Sequence, residues 1–379
     1  MKKNIKFGFS VIAAAVLLTC AAFFGGCGKE TVTAVSITAS GAKATFAYGA
    51  EFSVGNLKVN VNMSDGSSYL ADENAYEVDS SAFDSKVSGR YTIRVTLKET
   101  DLFAEYTVTV RDDPSRWDAD GELKILCIGN SFSDDMTVHA YNVAKSLGIE
   151  KVYIANLYIG GCTVDRHADN AKNNAAAYEF RQNDSGTWHT TKNYRMGDAI
   201  ALTNWDFITL QQASGSSGME GTYARVGELI DYVYSKLPPM SYTKFYWHMT
   251  WAYQQDTNHA EFYKYDNKQS VMYDKIVQCT KTRILTNASF TGVIPSGTAV
   301  QNARTSYLGD TLTRDGYHLT IDTGRYIAAL TFISTLTQIP VDDIEFAPDG
   351  VDARKKAVAL ESAANAIKTP YSVTMSVNK

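Results

Sequence analysis

The sequence predicts an α/β domain, built on a parallel sheet with helices on both faces and preceded by an all-β sandwich. Three observations predict it. From residue 122 onward, short apolar runs alternate with helical patterns, the signature of a parallel sheet covered on both sides. Between residues 31 and 111, apolar and polar residues alternate with a period of two. The polar stretch 112–121, with Asp112, Asp113, Pro114 and Asp118, separates the two patterns as a linker. At 379 residues the chain is long enough for two folded units and a processed terminus.

The first element is a targeting segment. Lys2, Lys3 and Lys6 give a positive start, and Phe7 to Thr19 is an apolar stretch too short to span a bilayer comfortably. Phe24-Gly25-Gly26-Cys27 then reads as a bacterial lipobox, with Leu17-Leu18-Thr19-Cys20 as a weaker second candidate. Residues 1–27 are thus expected to form a lipoprotein signal peptide and lipobox. Acyl chains on Cys27 would anchor an exported chain to the membrane, facing outside the cytoplasm. Of the five cysteines, Cys127, Cys162 and Cys279 remain beyond Cys20 and Cys27. They read as buried free thiols, although an exported domain could pair two of them.

The composition is that of a folded chain, 45% hydrophobic and 20% charged. A net charge of −5 argues against a nucleic-acid surface, which needs clustered Lys and Arg. The 23 Tyr and five Trp suit either core packing or polar-faced ligands such as sugars.

Within the all-β stretch, Leu57, Val59, Val61 and Met63 alternate with polar residues, and Ser64-Asp65-Gly66-Ser67 supplies a turn. Tyr91, Ile93, Val95 and Leu97 alternate most clearly, and Tyr106, Val108 and Val110 close the segment. Gly55-Asn56-Leu57-Lys58-Val59, the Ser64-Asp65-Gly66 turn, Phe83-Asp84 and Gly89-Arg90-Tyr91-Thr92-Ile93 resemble bacterial Ig-like domains. The resemblance implies a spacer, with sugar or protein binding as the other possibility.

In the second unit, residues 122–379, the expected strands are Leu123–Ile128, Lys151–Leu157, Phe207–Leu210, Lys244–His248 and Thr291–Ile294. Met136, Ala140, Val143, Ala144 and Leu147 place one helix after the first strand, ended by Gly148. Tyr326–Leu336 is apolar nearly all round and is expected to be deeply packed. A last amphipathic helix carries Ala357, Leu360, Ala364 and Ile367, stopping before Pro370. The polar excursion Asp165–Trp205 contains Tyr178-Glu179-Phe180 and Trp188 around Asn183-Asp184-Ser185-Gly186, which predicts a hairpin with exposed aromatics.

In such sheets ligands bind outside the carboxyl ends of the strands, where the distinctive residues fall. Ser131 follows the first strand and Gly160-Gly161 the second. Gln211-Gln212-Ala213-Ser214 follows the third, and His248-Met249-Thr250-Trp251 the fourth. Ser131 or Ser133 has a structural reading as a helix N-cap, with Asp134 and Asp135 favouring the positive helix end. Ser131 has a chemical reading too, because a hydroxyl there lies beside free backbone N–H groups. Asp315-Gly316-Tyr317-His318 supplies what a nucleophile needs, a base and a carboxylate spaced to touch each other. Asn130, Gln211, His248 and Trp251, with Arg166 and His167, are weaker candidates for contacting substrate. Arg166 and His167 also read as a salt-bridged loop, and His248 as core filling. The six histidines show no His-x-x-x-His or similar spacing, so neither a catalytic metal nor another cofactor is expected.

Ile128-Gly129-Asn130-Ser131-Phe132-Ser133, Gly160-Gly161-Cys162-Thr163, Leu210-Gln211-Gln212-Ala213-Ser214 and Asp315-Gly316-Tyr317-His318 together resemble the SGNH (GDSL-like) hydrolases, over most of residues 122–340. Within that superfamily the resemblance is to a family catalogued as a domain of unknown function. It implies a flavodoxin-like three-layer α/β/α fold with Ser131 as nucleophile, His318 as general base and Asp315 as its partner. The backbone N–H groups of Ser131 and of Gly160 or Gly161 would form part of an oxyanion hole. The superfamily's usual Gly-x-Asn-Asp block is missing, which leaves the Gln212 amide as the expected last donor. Gln212-Ala213-Ser214 partly resembles the Gln-Gly-Glu of some carbohydrate esterases of this fold. The expectation is therefore a serine esterase acting on an acylated carbohydrate or other small ester, with no nucleic-acid partner. The rivals are a non-catalytic glycan-binding lipoprotein and a lipase or thioesterase.

Overall fold

The computed structural model describes residues 31–46, 49–87, 89–110, 121–239 and 241–379. The targeting segment with Cys20 and Cys27, and the linker apart from Gly121, lie outside the described residues. The chain divides into two compact units between residues 114 and 115.

The first unit is made of strands β1 (Ala34–Ala42), β2 (Thr45–Phe46), β3 (Gly55–Met63), β4 (Ser68–Leu70), β5 (Tyr76–Asp79), β6 (Gly89–Leu97) and β7 (Phe103–Val110). They form two sheets, in the orders β1-β3-β4 and β2-β7-β6-β5. Period-two alternation turns Val59 and Val61 of one sheet, and Ile93, Val95 and Val108 of the other, wholly inward. At the Asp65 turn the carboxylate accepts from the Ser67 N–H at 2.9 Å, which fixes the register of β3 against β4. Phe46 closes one end of the core, its ring 4.9 Å from Phe83 and 5.5 Å from Phe52.

The second unit runs β8 (Glu122–Gly129), α1 (Ser131–Thr137), α2 (Ala140–Ser146), β9 (Lys151–Tyr158), α3 (Val164–Lys172), β10 (Tyr178–Asn183), β11 (His189–Tyr194), α4 (Met196–Ile200), β12 (Phe207–Leu210), α5 (Val226–Lys236), β13 (Lys244–His248), α6 (Gln269–Cys279), β14 (Gly292–Ile294), α7 (Ser296–Ala303), α8 (Thr323–Thr337) and α9 (Ala353–Lys368). The sheet order is β11-β10-β9-β8-β12-β13-β14. Its five parallel strands, β9-β8-β12-β13-β14, have the flavodoxin-like order 2-1-3-4-5. The strand order reverses between β8 and β12, the switch point outside whose carboxyl ends such sheets bind ligands. α8 is buried along almost its whole length, as its all-round apolar sequence predicts.

Three expectations are corrected. The helix predicted after the first strand is two helices, α1 and α2. The Thr137 hydroxyl bonds back to the Ser133 carbonyl at 2.9 Å, a local competitor that bends helices, and His139 begins α2 while its Nε2 meets the Ile321 carbonyl at 2.9 Å. The excursion does hold a hairpin, β10–β11, but Tyr178 and Phe180 are buried rather than exposed, and Phe180 stacks on Tyr194 at 4.6 Å. In α9 the most buried face is Val358, Ala359, Ser362, Ala363 and Ala366; Leu360, Ala364 and Ile367 flank it and Ala357 is exposed. Small residues on that face let α9 approach α7 and α8 closely. The outer strand β11, His-Thr-Thr-Lys-Asn-Tyr, is exposed over its first five residues. Cys127, Cys162 and Cys279 are buried free thiols. Among the described residues no helix is long and apolar enough to cross a membrane.

Candidate active site

The end of β8 and the start of α1 place Ser131. Asn130 is the true N-cap: its backbone is extended (φ −142°, ψ −154°) and its Oδ1 accepts from the Phe132 N–H at 2.9 Å. The cap reading of Ser131 and Ser133 is thereby corrected. Ser133 turns inward, its hydroxyl 2.7 Å from the Asn130 carbonyl and 2.9 Å from Asn156 Oδ1. Gly129 permits this crowding, because a Cβ there would lie 2.5 Å from Ser133 Oγ and 3.0 Å from Gln211 Cδ. Ser131, as the first helical residue, keeps its hydroxyl free of capping work.

That hydroxyl lies 2.8 Å from His318 Nε2, and His318 Nδ1 lies 2.6 Å from Asp315 Oδ2. Asp315 Oδ1 also accepts from the backbone N–H of Tyr317 at 3.2 Å and of His318 at 2.7 Å. One carboxylate therefore shapes the turn and orients the imidazole, which is the advantage of a spacing of three. Burial pushes the Asp315 carboxyl up, but the bonds from the His318 side chain and from both backbone N–H groups outweigh it, leaving its pKa below the ordinary value. A carboxyl whose folded pKa lies below its unfolded value of about 3.9 contributes stability that is complete above that value and is lost as pH falls through the folded pKa. Wild-type protein and Asp315→Asn are thus expected to differ in thermal unfolding near neutrality and to converge in strong acid. A constant gap down to about pH 2 would contradict this.

The Asp315–His318 turn is tied to α1 by Asp135, a wholly buried residue one helical turn beyond Ser131. Its carboxylate accepts from the Leu319 N–H at 2.8 Å and pairs with Arg325 at 2.7 Å and Arg314 at 3.1 Å. Arg314 also bonds the Leu319 carbonyl. The helix bearing the serine thus grips both ends of the turn bearing the histidine. From the sequence, Asp135 reads only as a charge favouring the helix start.

Two segments, the start of α1 and the turn after β9, carry the backbone N–H groups expected to serve Ser131. Its own N–H belongs to the first turn of α1, which has no intrahelical acceptor. Beyond β9, Ile159–Cys162 forms a turn closed by Cys162 N–H to Ile159 O at 3.1 Å, and Gly160 and Gly161 are exposed at its tip. The Asn130 amide donates to the Cys162 carbonyl at 3.1 Å, fixing this turn against the serine.

Gln212 does not complete the set, which corrects its expected role. Its amide nitrogen donates to the Thr222 carbonyl at 2.8 Å and lies 3.2 Å from the Thr222 hydroxyl. Its Oε1 accepts from the N–H groups of Val164 at 3.0 Å and Ala213 at 2.8 Å. The side chain is a buried brace between loops.

Asn130, Gln211 and His248, expected near substrate, are likewise buried and form a chain behind the serine. Gln211 Nε2 donates to Asn130 Oδ1 at 2.8 Å, and His248 Nδ1 lies 2.7 Å from Gln211 Oε1. Burial pushes His248 down to about 3, so it is neutral. His167 is also buried, with Nδ1 3.0 Å from the Tyr178 hydroxyl, and does not face substrate. Trp251 is buried too, stacked on Phe132 at 4.3 Å, and its indole N–H holds the Tyr317 carbonyl at 2.7 Å. Of the weaker candidates only Arg166 is exposed, on α3 just past the glycine turn. Among the described residues no group of three His, Cys, Asp or Glu side chains is arranged to hold a metal ion.

A flavodoxin-like sheet, a serine after its first strand, and a late Asp-x-x-His bonded to that serine define an SGNH-type architecture. The chain belongs to the family described as Domain of unknown function (DUF4886), which matches residues 124–366, and a Bacterial Ig-like domain (group 3) matches residues 40–111. A crystallised DUF4886 family protein from Bacteroides uniformis is 39% identical, with 67% of this chain and 97% of that chain covered and a TM-score of 0.64. An alpha/beta hydrolase from the metagenome of Lake Arreo is 12% identical, with 57% of this chain and 95% of that chain covered and a TM-score of 0.36. For an acetylxylan esterase from Geobacillus stearothermophilus the values are 12%, 56%, 94% and 0.35. No curated protein is significantly similar to the chain.

Proposed function

We propose that the chain is an extracytoplasmic serine esterase, held to the membrane by lipid on Cys27, that removes O-acetyl groups from carbohydrate. The observation that carries the esterase reading is the unbroken relay Asp315–His318–Ser131, with bonds of 2.6 and 2.8 Å, at the carboxyl end of the sheet. His318 Nε2 takes the Ser131 proton as Oγ attacks the acyl carbon. The carbonyl oxygen, now negative, faces the N–H groups of Ser131 and the Gly160-Gly161 turn. His318 gives its proton to the departing alcohol, leaving the acyl group on Ser131. Water, deprotonated by His318, then attacks that ester; the acid leaves and Ser131 recovers its proton. Asp315 stays ionised throughout and supports the imidazolium.

A second reading, a carbohydrate-binding site without turnover, draws on Gln212, whose committed amide removes a donor of the kind worth about 3 kcal/mol. One experiment separates the two. The purified protein is given p-nitrophenyl acetate and butyrate, and separately a fluorophosphonate, which phosphonylates an activated serine. Acetate hydrolysis faster than butyrate, with one phosphonyl group on Ser131, is the expected result. Neither turnover nor label would favour the binding reading.

A further inference from the structure

The two flanks of β8 divide the site. Gly160-Gly161 follows β9 on one flank, while Ser214 follows β12 and the segment Thr250–Tyr265 follows β13 on the other. That segment is bonded to the catalytic turn: the Gln254 N–H donates to the Gly316 carbonyl at 2.8 Å, and the Trp251 indole to the Tyr317 carbonyl at 2.7 Å. The departing alcohol must receive its proton from His318 Nε2, so it lies on the His318 side, away from the glycine turn.

What borders His318 there is specific. The Tyr317 ring packs 4.2 Å from the His318 ring, and His259 packs 4.7 Å beyond Tyr317. His259 Nδ1 accepts from the Glu261 N–H at 3.2 Å, which leaves the ring proton on Nε2. Tyr253, wholly buried behind them, puts its hydroxyl 2.9 Å from Ser214 Oγ and 3.5 Å from His259 Nε2. Glu261, which also pairs with Lys264, packs so close to Gly215 that a Cβ there would lie 2.0 Å from Glu261 Oε2, which puts a carboxylate beside the residue that follows Ser214. Tyr317, His259, Ser214 and Glu261 all remain partly exposed.

The geometry points to an alcohol-side subsite, formed by Tyr317, His259, Ser214 and Glu261, that takes a sugar ring. The inference rests on the esterase reading and deepens it. Flat aromatic faces cover the apolar face of a sugar ring. The imidazole N–H, the serine hydroxyl and the carboxylate offer a donor, a dual group and an acceptor to its hydroxyls. His259 and Ser214 already bond Tyr253, and Glu261 already bonds Lys264. Sugar hydroxyls can add to these bonds whereas a fatty alcohol would add nothing, which disfavours the fatty alcohol.

The test compares acetylated methyl glucoside with p-nitrophenyl acetate, whose leaving group needs neither a proton nor hydroxyl contacts. kcat/KM on both esters is measured for the unaltered protein, His259→Ala and Ser214→Ala. The ratio of sugar ester to nitrophenyl ester is expected to fall by about tenfold or more in each variant, mainly through KM. An unchanged ratio in both variants overturns the subsite, even where overall activity drops. Ser131-dependent hydrolysis of p-nitrophenyl acetate without hydrolysis of the sugar ester also overturns it, and leaves the esterase standing. Hydrolysis of neither ester removes the esterase reading and the subsite together.

Discussion

Ser131→Ala is expected to lower kcat on p-nitrophenyl acetate by about a thousandfold or more, the scale on which single triad members act. Its stability should change little, by about 0.5 kcal/mol or less. The second half of this prediction follows from Asn130. A serine that capped α1 would cost about 1 kcal/mol when removed, but here the Asn130 side chain holds the Phe132 N–H and the Ser131 hydroxyl serves only His318. Stopped kinetics and urea unfolding on the same preparations decide it. Full activity in the variant would reduce Ser131 to a bystander, and a stability loss matching the activity loss would make its role structural.

Asp135→Asn has the next largest expected effect, and it falls on both properties. The carboxylate is buried, and the substitution leaves Arg314 and Arg325 facing a neutral amide. Breaking a buried ion pair from one side costs about 3–5 kcal/mol. At about 2–4 °C per kcal/mol for a domain of this size, the unfolding midpoint should drop by about 10 °C. Because the Leu319 N–H is held by the same carboxylate at 2.8 Å, the turn carrying His318 loosens, and small displacements of a base are costly in rate. kcat at temperatures well below the new midpoint should therefore fall while KM changes less. A variant as stable and as fast as wild type would show that the clamp is dispensable.

Much of this was legible in the sequence, for physical reasons that differ by element. Phe207–Leu210 and Lys244–His248 coincide with the observed strands, because short apolar runs in a covered parallel sheet carry an unmixed signal. Ser131, Asp315 and His318 meet because a strand end and a turn leave little conformational choice at each residue. What stayed hidden depends on contacts between distant positions. Gln212 stands at the expected strand end, yet the direction of its amide was decided by Thr222 and Val164. The break between α1 and α2 came from a Thr137 back-bond that periodicity does not register. Tyr178 and Phe180 lie in a polar segment whose pairing with β9 carries them into the core. The roles of His259 and Asp135 exist only once residues far apart in the chain face the same turn.

The β10–β11 hairpin has a consequence for behaviour in concentrated or stressed conditions. A parallel sheet ending at β9 would leave a hydrophobic strand open to pairing with another chain. The hairpin occupies that side and moves the open edge out to His189–Tyr194, whose polar side chains include Lys192. Such an edge offers backbone groups but no apolar face to bury, so it is a poor template for intermolecular sheet growth.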